Sequence, residues 1–304
     1  MQVISYGQQL NTPIVLCLGY FETMHVGHMQ LVRTAASIAA EEHAEVALFT
    51  FDKKSDKELF TWDERLQLYK QAGVSTVFKA DFTDSFRATK GSEFVKQLCS
   101  TLNVKAIVCG FDYTFGCDRC DAFDLTEMLD GKHRLFVVKS VDICGEKVSS
   151  TRVRSLLTDN KITAVNALLG HPYFVCGTVV HGRGVGHSLG FPTANISVDN
   201  RKVLPHGVFA AYTTIDNNTY AAFVNIGAKP TFGVDTQTIE VHAIGYDGDL
   251  YGKQLQVNFI DYLRSTVKFD SVEELVKQLN VDKQTTLNLY KAMQCNTCKE
   301  NTND

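Results

Sequence analysis

The feature that most limits the fold is a change of pattern at Gly170-His171-Pro172. Upstream of it, short apolar runs alternate with helical stretches. Downstream, strands follow one another across tight turns. Strand, helix and strand in repetition require crossover connections, and crossovers build a mostly parallel, doubly wound α/β sheet. Strands close in sequence and joined by hairpins build an antiparallel sheet or small barrel instead. The chain therefore reads as two domains, residues 1–170 and 171–304, consistent with its 304 residues at roughly 150 per domain.

In the first half the runs Val15 to Tyr20, Val46 to Phe51, Val104 to Cys109 and Leu135 to Val138 read as buried strands. Between them, Leu31, Ala35 and Ile38 share one helical face, Thr61-Trp62-Asp63-Glu64 is a capping box, and Ser92-Glu93 opens a helix ending near Leu102. Lys161 to Leu169 reads as a last helix, stopped by Gly170. In the second half, hairpins are expected around Asp216-Asn217-Asn218 and Asp247-Gly248-Asp249, and a final helix opens at Ser271-Val272-Glu273-Glu274 and turns Leu275 and Leu279 inward.

Composition narrows the functional classes. With 44% hydrophobic and 21% charged residues the chain is of ordinary globular type, and no apolar run approaches the roughly 20 residues of a membrane-spanning helix. The first residues carry neither a basic nor an apolar targeting segment, so a cytoplasmic location and no membrane partner are expected. A net charge of -4 argues against a nucleic-acid partner, whereas a small phosphorylated ligand needs only a local site. Most of the nine cysteines read as reduced core residues. The two Cys-x-x-Cys pairs, Cys117/Cys120 and Cys295/Cys298, read as a loop and a frayed tail rather than as zinc ligands. Nothing in the pattern sets the oligomeric state.

Two segments carry chemistry. Gly19 to His28 follows the first strand and opens a helix, and its His25-Val26-Gly27-His28 places two imidazoles at a helix N-terminus, where N–H groups and dipole favour phosphate. Ser149-Ser150-Thr151-Arg152-Val153-Arg154 supplies hydroxyls and guanidiniums at a second helix start. Such a set suits cleavage of a nucleoside triphosphate by an attacking phosphate, which is already anionic and needs no general base. In the other half, Gly177 to Asn195 contains five glycines, and Thr193 and Asn195 offer the neutral oxygens that Mg²⁺ accepts. Glu240, in the strand Ile239 to His242, faces either outward or toward that loop; in the second case it can take a proton from a hydroxyl.

Taken in order, the blocks Gly19-x-Phe21, His25-Val26-Gly27-His28, Gly110 to Gly116, Ser149-Ser150-Thr151-x-x-Arg154, Leu189 to Asn195, Asn225 to Phe232, Glu240-Val241-His242, Leu250-Tyr251-Gly252 and Leu263-Arg264 give the chain a close resemblance to the prokaryotic bifunctional riboflavin kinase/FMN adenylyltransferase (FAD synthetase) family. The resemblance implies phosphorylation of riboflavin to FMN in the second module, with Mg²⁺ on Thr193 and Asn195, Glu240 as base and Arg264 near the flavin. It implies adenylylation of FMN to FAD in the first. There, ATP would be held by Gly19, Phe21, His25, His28, Ser150, Thr151 and Arg154, with Asp112 and Phe115 on the flavin side. Gly182, Gly186, Pro192, Thr193 and Asn195 form the implied ATP set of the kinase.

The chain departs from that pattern at Glu22-Thr23, where the family has Asp-Gly, and at Asp52-Lys53-Lys54, where prolines and a histidine are usual. Cys120 takes a glycine position, and His187 an arginine position. These departures leave a second reading open, a riboflavin kinase whose first module binds flavin or nucleotide slowly or without chemistry.

Overall fold

A computed structural model describes residues 1–53, 57–182, 189–231 and 234–300. It divides into two compact units, Met1–Ser150 and Thr151–Asp304. In the first, β1 (Gln2–Ser5), β2 (Leu10–Leu18), β3 (Glu45–Asp52), β4 (Thr76–Asp81), β5 (Leu102–Gly110) and β6 (Arg134–Val138) form one sheet in the order β1-β4-β3-β2-β5-β6. Every pairing in it is parallel. The connections are α1 (Val26–Glu41), α2 (Trp62–Gln71), α3 (Asp84–Arg87), α4 (Gly91–Thr101) and α5 (Ala122–Leu129), with a small hairpin of β7 (Asp142–Ile143) and β8 (Glu146–Lys147).

The expected strands are all present, and β1 and β4 are additions. β1 is short and largely exposed at the sheet edge, so it has no apolar run to announce it. Leu31, Ala35 and Ile38 of α1 are buried, as their spacing predicts, and both halves of the Thr61/Glu64 capping box form on α2. The core combines Ile14, Leu16 and Leu18 of β2 with Phe49, Phe78, Ile107 and the inner faces of α4 and α5. Strand order reverses between β2 and β5. In a sheet of this kind the crevice at that reversal, outside the carboxyl ends of the strands, is the natural ligand position.

In the second unit, β9 (Phe174–Val180), β10 (Ala194–Ser197), β11 (Gly207–Ile215), β12 (Asn218–Thr231), β13 (Val234–Ala243) and β14 (Gln254–Arg264) close into a barrel in the order β10-β13-β12-β11-β14-β9. All six contacts are antiparallel. Asp216 and Asn217 turn β11 into β12 with φ of 49° and 66°, a pair of left-handed residues that matches the twist of a two-residue hairpin. The terminal helix α8 (Val272–Glu300) is capped by Ser271 Oγ, which accepts from the Glu274 amide at 3.2 Å. It runs on through the stretch expected to fray, because Gln294 to Glu300 contains no glycine or proline to stop it.

Helices α6 (Ser150–Thr158) and α7 (Ile162–Leu169) lie between the sheet and the barrel in sequence. Residues 151–170, read from sequence as the end of the first domain, cluster with the barrel. Asn166 explains it: its Nδ2 donates to the Phe259 carbonyl at 2.9 Å, and its Oδ1 accepts from the Tyr173 amide at 2.7 Å. Gly170 does end α7, in the left-handed conformation at φ 75°.

Candidate active sites

The loop after β2 and the loop after β5 flank a cavity of about 350 Å³ at the strand-order reversal. Gly19, Tyr20, His25, Gly27 and His28 line it from one side, Gly110 to Thr114 from another, and Lys139, Lys147 and Ser150 complete it. His25 is the N-cap of α1, and its Nδ1 accepts from the His28 amide at 3.1 Å. An accepting Nδ1 leaves the ring proton on Nε2, so His25 presents an N–H donor with its other nitrogen. The two imidazoles stack at 3.7 Å and 8°. Gly27 makes room for this, since a Cβ there would come within 3.1 Å of the His25 ring.

Burial keeps both rings neutral. It lowers His25 to about 4, helped by the Lys147 ammonium, and it lowers His28 well below the usual histidine range, helped by His25 and the Arg65 guanidinium. One of the amides expected to meet phosphate, that of His28, is already engaged by His25. Positive charge at this cavity comes from lysines that sequence reasoning passed over. Lys147 pairs with Asp112 and lies 4.8 Å over the Phe111 ring.

Other expected residues divide. Gly19, Asp112 and Ser150 line the cavity. Phe21 does not: it is fully buried at φ 47°, its ring 5.0 Å from His28. Phe115 packs into the core against Phe94 and Tyr113 instead of facing the flavin side. Thr151 and Arg154 follow Ser150 on α6 and belong to the second compact unit.

The barrel unit holds its own cavity, of about 330 Å³. Leu189, Phe191, Phe223, Val267, Phe269 and Leu279 give it apolar walls, and Thr193, Asn225, Glu240, Arg264 and Asp282 give it polar ones. Strand register explains the convergence. Arg264 stands opposite Val208, Val208 opposite Asn225, Asn225 opposite Glu240, and Glu240 opposite Asn195. Directly paired residues point to the same side of a sheet, so these form one rung across five strands. Glu240 thus faces the cavity, which resolves the alternative left by its alternating strand.

Two residues on, His242 donates from Nδ1 to the Pro192 carbonyl at 2.7 Å and ties the Phe191-Pro192-Thr193 turn to β13. Pro192 itself is exposed and does not line the cavity. A Cβ at Gly182 would overlap the Asn195 amide, so the glycine lets that side chain lie against its backbone. Gly186 lies outside the described residues. Thr193 and Glu240 line the cavity, and Asn195 stands opposite Glu240 in register without lining it; a hydroxyl, an amide and a carboxylate are oxygen donors of the kind Mg²⁺ accepts.

Comparison with known proteins assigns both halves. A model described as FAD synthetase matches residues 7–152, and one described as riboflavin kinase matches residues 169–290. Together they cover most of the chain. It belongs to the bifunctional riboflavin kinase/FMN adenylyltransferase family. The family's member from Bacillus subtilis is 31% identical over 291 residues, covering 91% of this chain and 92% of that protein. The Pseudomonas fluorescens member is 33% identical, covering 88% and 90%. A solved structure titled as a macrolide-efflux protein from Streptococcus pneumoniae superposes with a TM-score of 0.87 at 32% identity, covering 94% of this chain and 99% of that one. No helix among the described residues is long and apolar enough to cross a membrane.

Three of the departures from the family pattern have local explanations, while Lys54 and His187 lie outside the described residues. Glu22 is buried, and its Oε1 accepts from the Leu59 amide at 3.2 Å. Thr23 is fully buried, its hydroxyl 3.2 Å from that of Ser150. Neither side chain lines the cavity. Cys120 packs its sulfur against Gly91 at the start of α4, and burial raises its thiol pKa.

Proposed function

We propose that the chain makes FAD in two ATP-dependent steps, at two separate sites. The observation that carries this is the contrast between the cavities: the barrel site presents the Glu240 carboxylate with Asn225 and Arg264 on the same rung, and the sheet site presents neutral imidazoles and lysines. An alcohol nucleophile needs a base, whereas a phosphate nucleophile does not.

In the barrel cavity, the apolar walls take the isoalloxazine of riboflavin, and Arg264 stands at its edge. Glu240 accepts the proton of the 5′-hydroxyl as that oxygen attacks the γ-phosphorus of ATP, giving FMN and ADP. Thr193 and Asn195 hold Mg²⁺, which neutralises charge on the phosphate oxygens when bound. Gly182, Gly186 and Pro192 shape the nucleotide side of this site. In the sheet cavity, the FMN phosphate attacks the α-phosphorus of a second ATP, forming FAD and releasing pyrophosphate. Nε2–H of His25 and the His28 ring donate to the α-phosphate, and Ser150 extends the triphosphate set. Asp112 and Lys147 stand where the flavin phosphate enters.

Residues 1–170 are the adenylyltransferase segment and 171–304 the kinase segment in this reading, although residues 151–170 cluster with the kinase fold. The protein works in the cytoplasm on small molecules, without nucleic-acid or membrane partners. The FAD synthetase match over residues 7–152 favours two activities over a kinase with an inert first module. Incubation with riboflavin, ATP and Mg²⁺, with flavins separated by chromatography, is the test. FMN followed by FAD is expected; FMN alone would leave only the kinase, and neither product would remove both activities.

A further inference from the structure

One charged group beside the sheet cavity has no role in the chemistry above. Arg65, in the first turn of α2, is only 4% exposed. Cations are disfavoured at that end of a helix and costly to bury, so a buried guanidinium there calls for a compensating partner. All its described hydrogen-bonding partners are neutral oxygens. Nη2 donates to the Tyr20 carbonyl at 2.9 Å, to Thr50 Oγ1 at 2.8 Å and to the Phe51 carbonyl at 3.4 Å, while Nε donates to Tyr69 Oη at 2.8 Å. Its Cζ lies 5.1 Å from the centres of both the Tyr20 and Trp62 rings.

These contacts converge on the loop that delivers the histidines. Tyr20 and Phe51 line the cavity, at the carboxyl ends of β2 and β3. Thr50 Oγ1 also donates to the Tyr20 carbonyl at 2.6 Å, and Tyr69 Oη donates to the Phe21 carbonyl at 2.9 Å. The same loop holds Phe21 and Met24 at φ 47° and 46°, a left-handed backbone that non-glycine residues adopt only when their surroundings enforce it. Arg65 and Tyr69 are the groups that fasten it.

We propose that Arg65 is a positioning residue for adenylyl transfer, which fixes the Tyr20 to Met24 loop ahead of His25 and His28 and supplies a permanent positive charge beside the cavity that takes the triphosphate. The inference rests on the adenylyltransferase reading of this cavity. A lysine could keep the charge but not the planar fork that reaches Tyr20, Thr50 and Tyr69 together. The charged or titratable groups described as acting on the two imidazoles are each other, Arg65, Lys147 and Asp112, and the buried carboxylates Glu22 and Glu58 act on Tyr20 beside Arg65, Glu22 on Tyr69 as well.

The full-length chain carrying Arg65→Met or Arg65→Lys decides it. FMN-to-FAD conversion is measured with ATP and FMN varied separately, and riboflavin-to-FMN conversion in the same preparation serves as the control. The His28 ring is titrated by NMR. Arg65→Met should lower adenylyl-transfer kcat at least tenfold, leave the kinase unchanged and move the His28 titration to higher pH. Arg65→Lys should keep the His28 titration near its original position while recovering only part of kcat. Unaltered FAD formation in Arg65→Met would overturn the proposal. So would equal losses in both variants with the His28 titration unmoved, which is the signature of packing alone. If the unsubstituted chain made no FAD, the adenylyltransferase reading would fall, and the NMR titration would still report whether Arg65 acts on His28.

Discussion

Arg264 on β14 and Asp282 on α8 meet in a forked ion pair, with Nε 3.1 Å from both carboxylate oxygens and Nη2 2.7 Å from Oδ2. Gln278 Nε2 donates to Asp282 from one turn earlier at 2.9 Å. Asp282 is 3% exposed, so removing its charge strands a largely buried guanidinium at the edge of the barrel cavity. Asp282→Ala should destabilise the barrel unit by about 3 kcal/mol. It should also raise the KM for riboflavin, while FMN-to-FAD conversion is retained. Urea unfolding and the two separate assays check this.

Glu240→Gln preserves shape and removes the carboxylate proposed as the base. Riboflavin phosphorylation should fall on the order of 10²- to 10⁴-fold with FMN-to-FAD conversion intact. His28→Ala should do the reverse. Loss of both activities in either variant would contradict two independent sites.

Gly27→Ala places a Cβ within 3.1 Å of the His25 ring, which must then shift by a few tenths of an ångström in its stack on His28. Adenylyl transfer should drop roughly tenfold or more through misplacement alone. The kinase reaction serves as the internal reference.

His25 titrates near 4 when folded, below its unfolded value of about 6.5. The unfolded chain therefore binds the proton first as pH falls. The stability contributed by the neutral ring is complete above about pH 6.5 and is lost progressively toward pH 4, by about 3 kcal/mol. Thermal unfolding across that window should show the loss, and His25→Asn, which keeps an N-cap acceptor, should flatten it.

Most of the architecture is legible because β2, β3 and β5 of the sheet interior are runs of apolar residues bounded by a capped helix, as at Thr61 and Glu64, whereas the interior strand β4 mixes Thr76, Lys79 and Asp81 among its apolar residues. The hairpin at Asp216-Asn217 is equally plain. β1 is not, since an exposed edge strand needs no apolar face. Of the sites, the histidines and Glu240 carry recognisable spacing. Lys147, Asn225, Asp282 and Arg65 do not, because each gains its place from pairing across distant segments. Asn225 is the exception that register could find: counting back from the Asp216-Asn217 turn pairs it with Val208, and the next strand brings Glu240 opposite. Phe21 and Phe115 mislead for the opposite reason, since both sit within cavity-forming segments yet turn their rings into the core.

The Asn166 bridge has a practical corollary for dissecting the enzyme. A fragment begun at Tyr173 would start with a capless barrel, its first amide and the Phe259 carbonyl both stripped of their partner, and the Thr163 hydroxyl gone from Asp261. Anyone expressing the kinase alone should begin the clone upstream of Ile162, even though the motifs of that activity start only after Gly177.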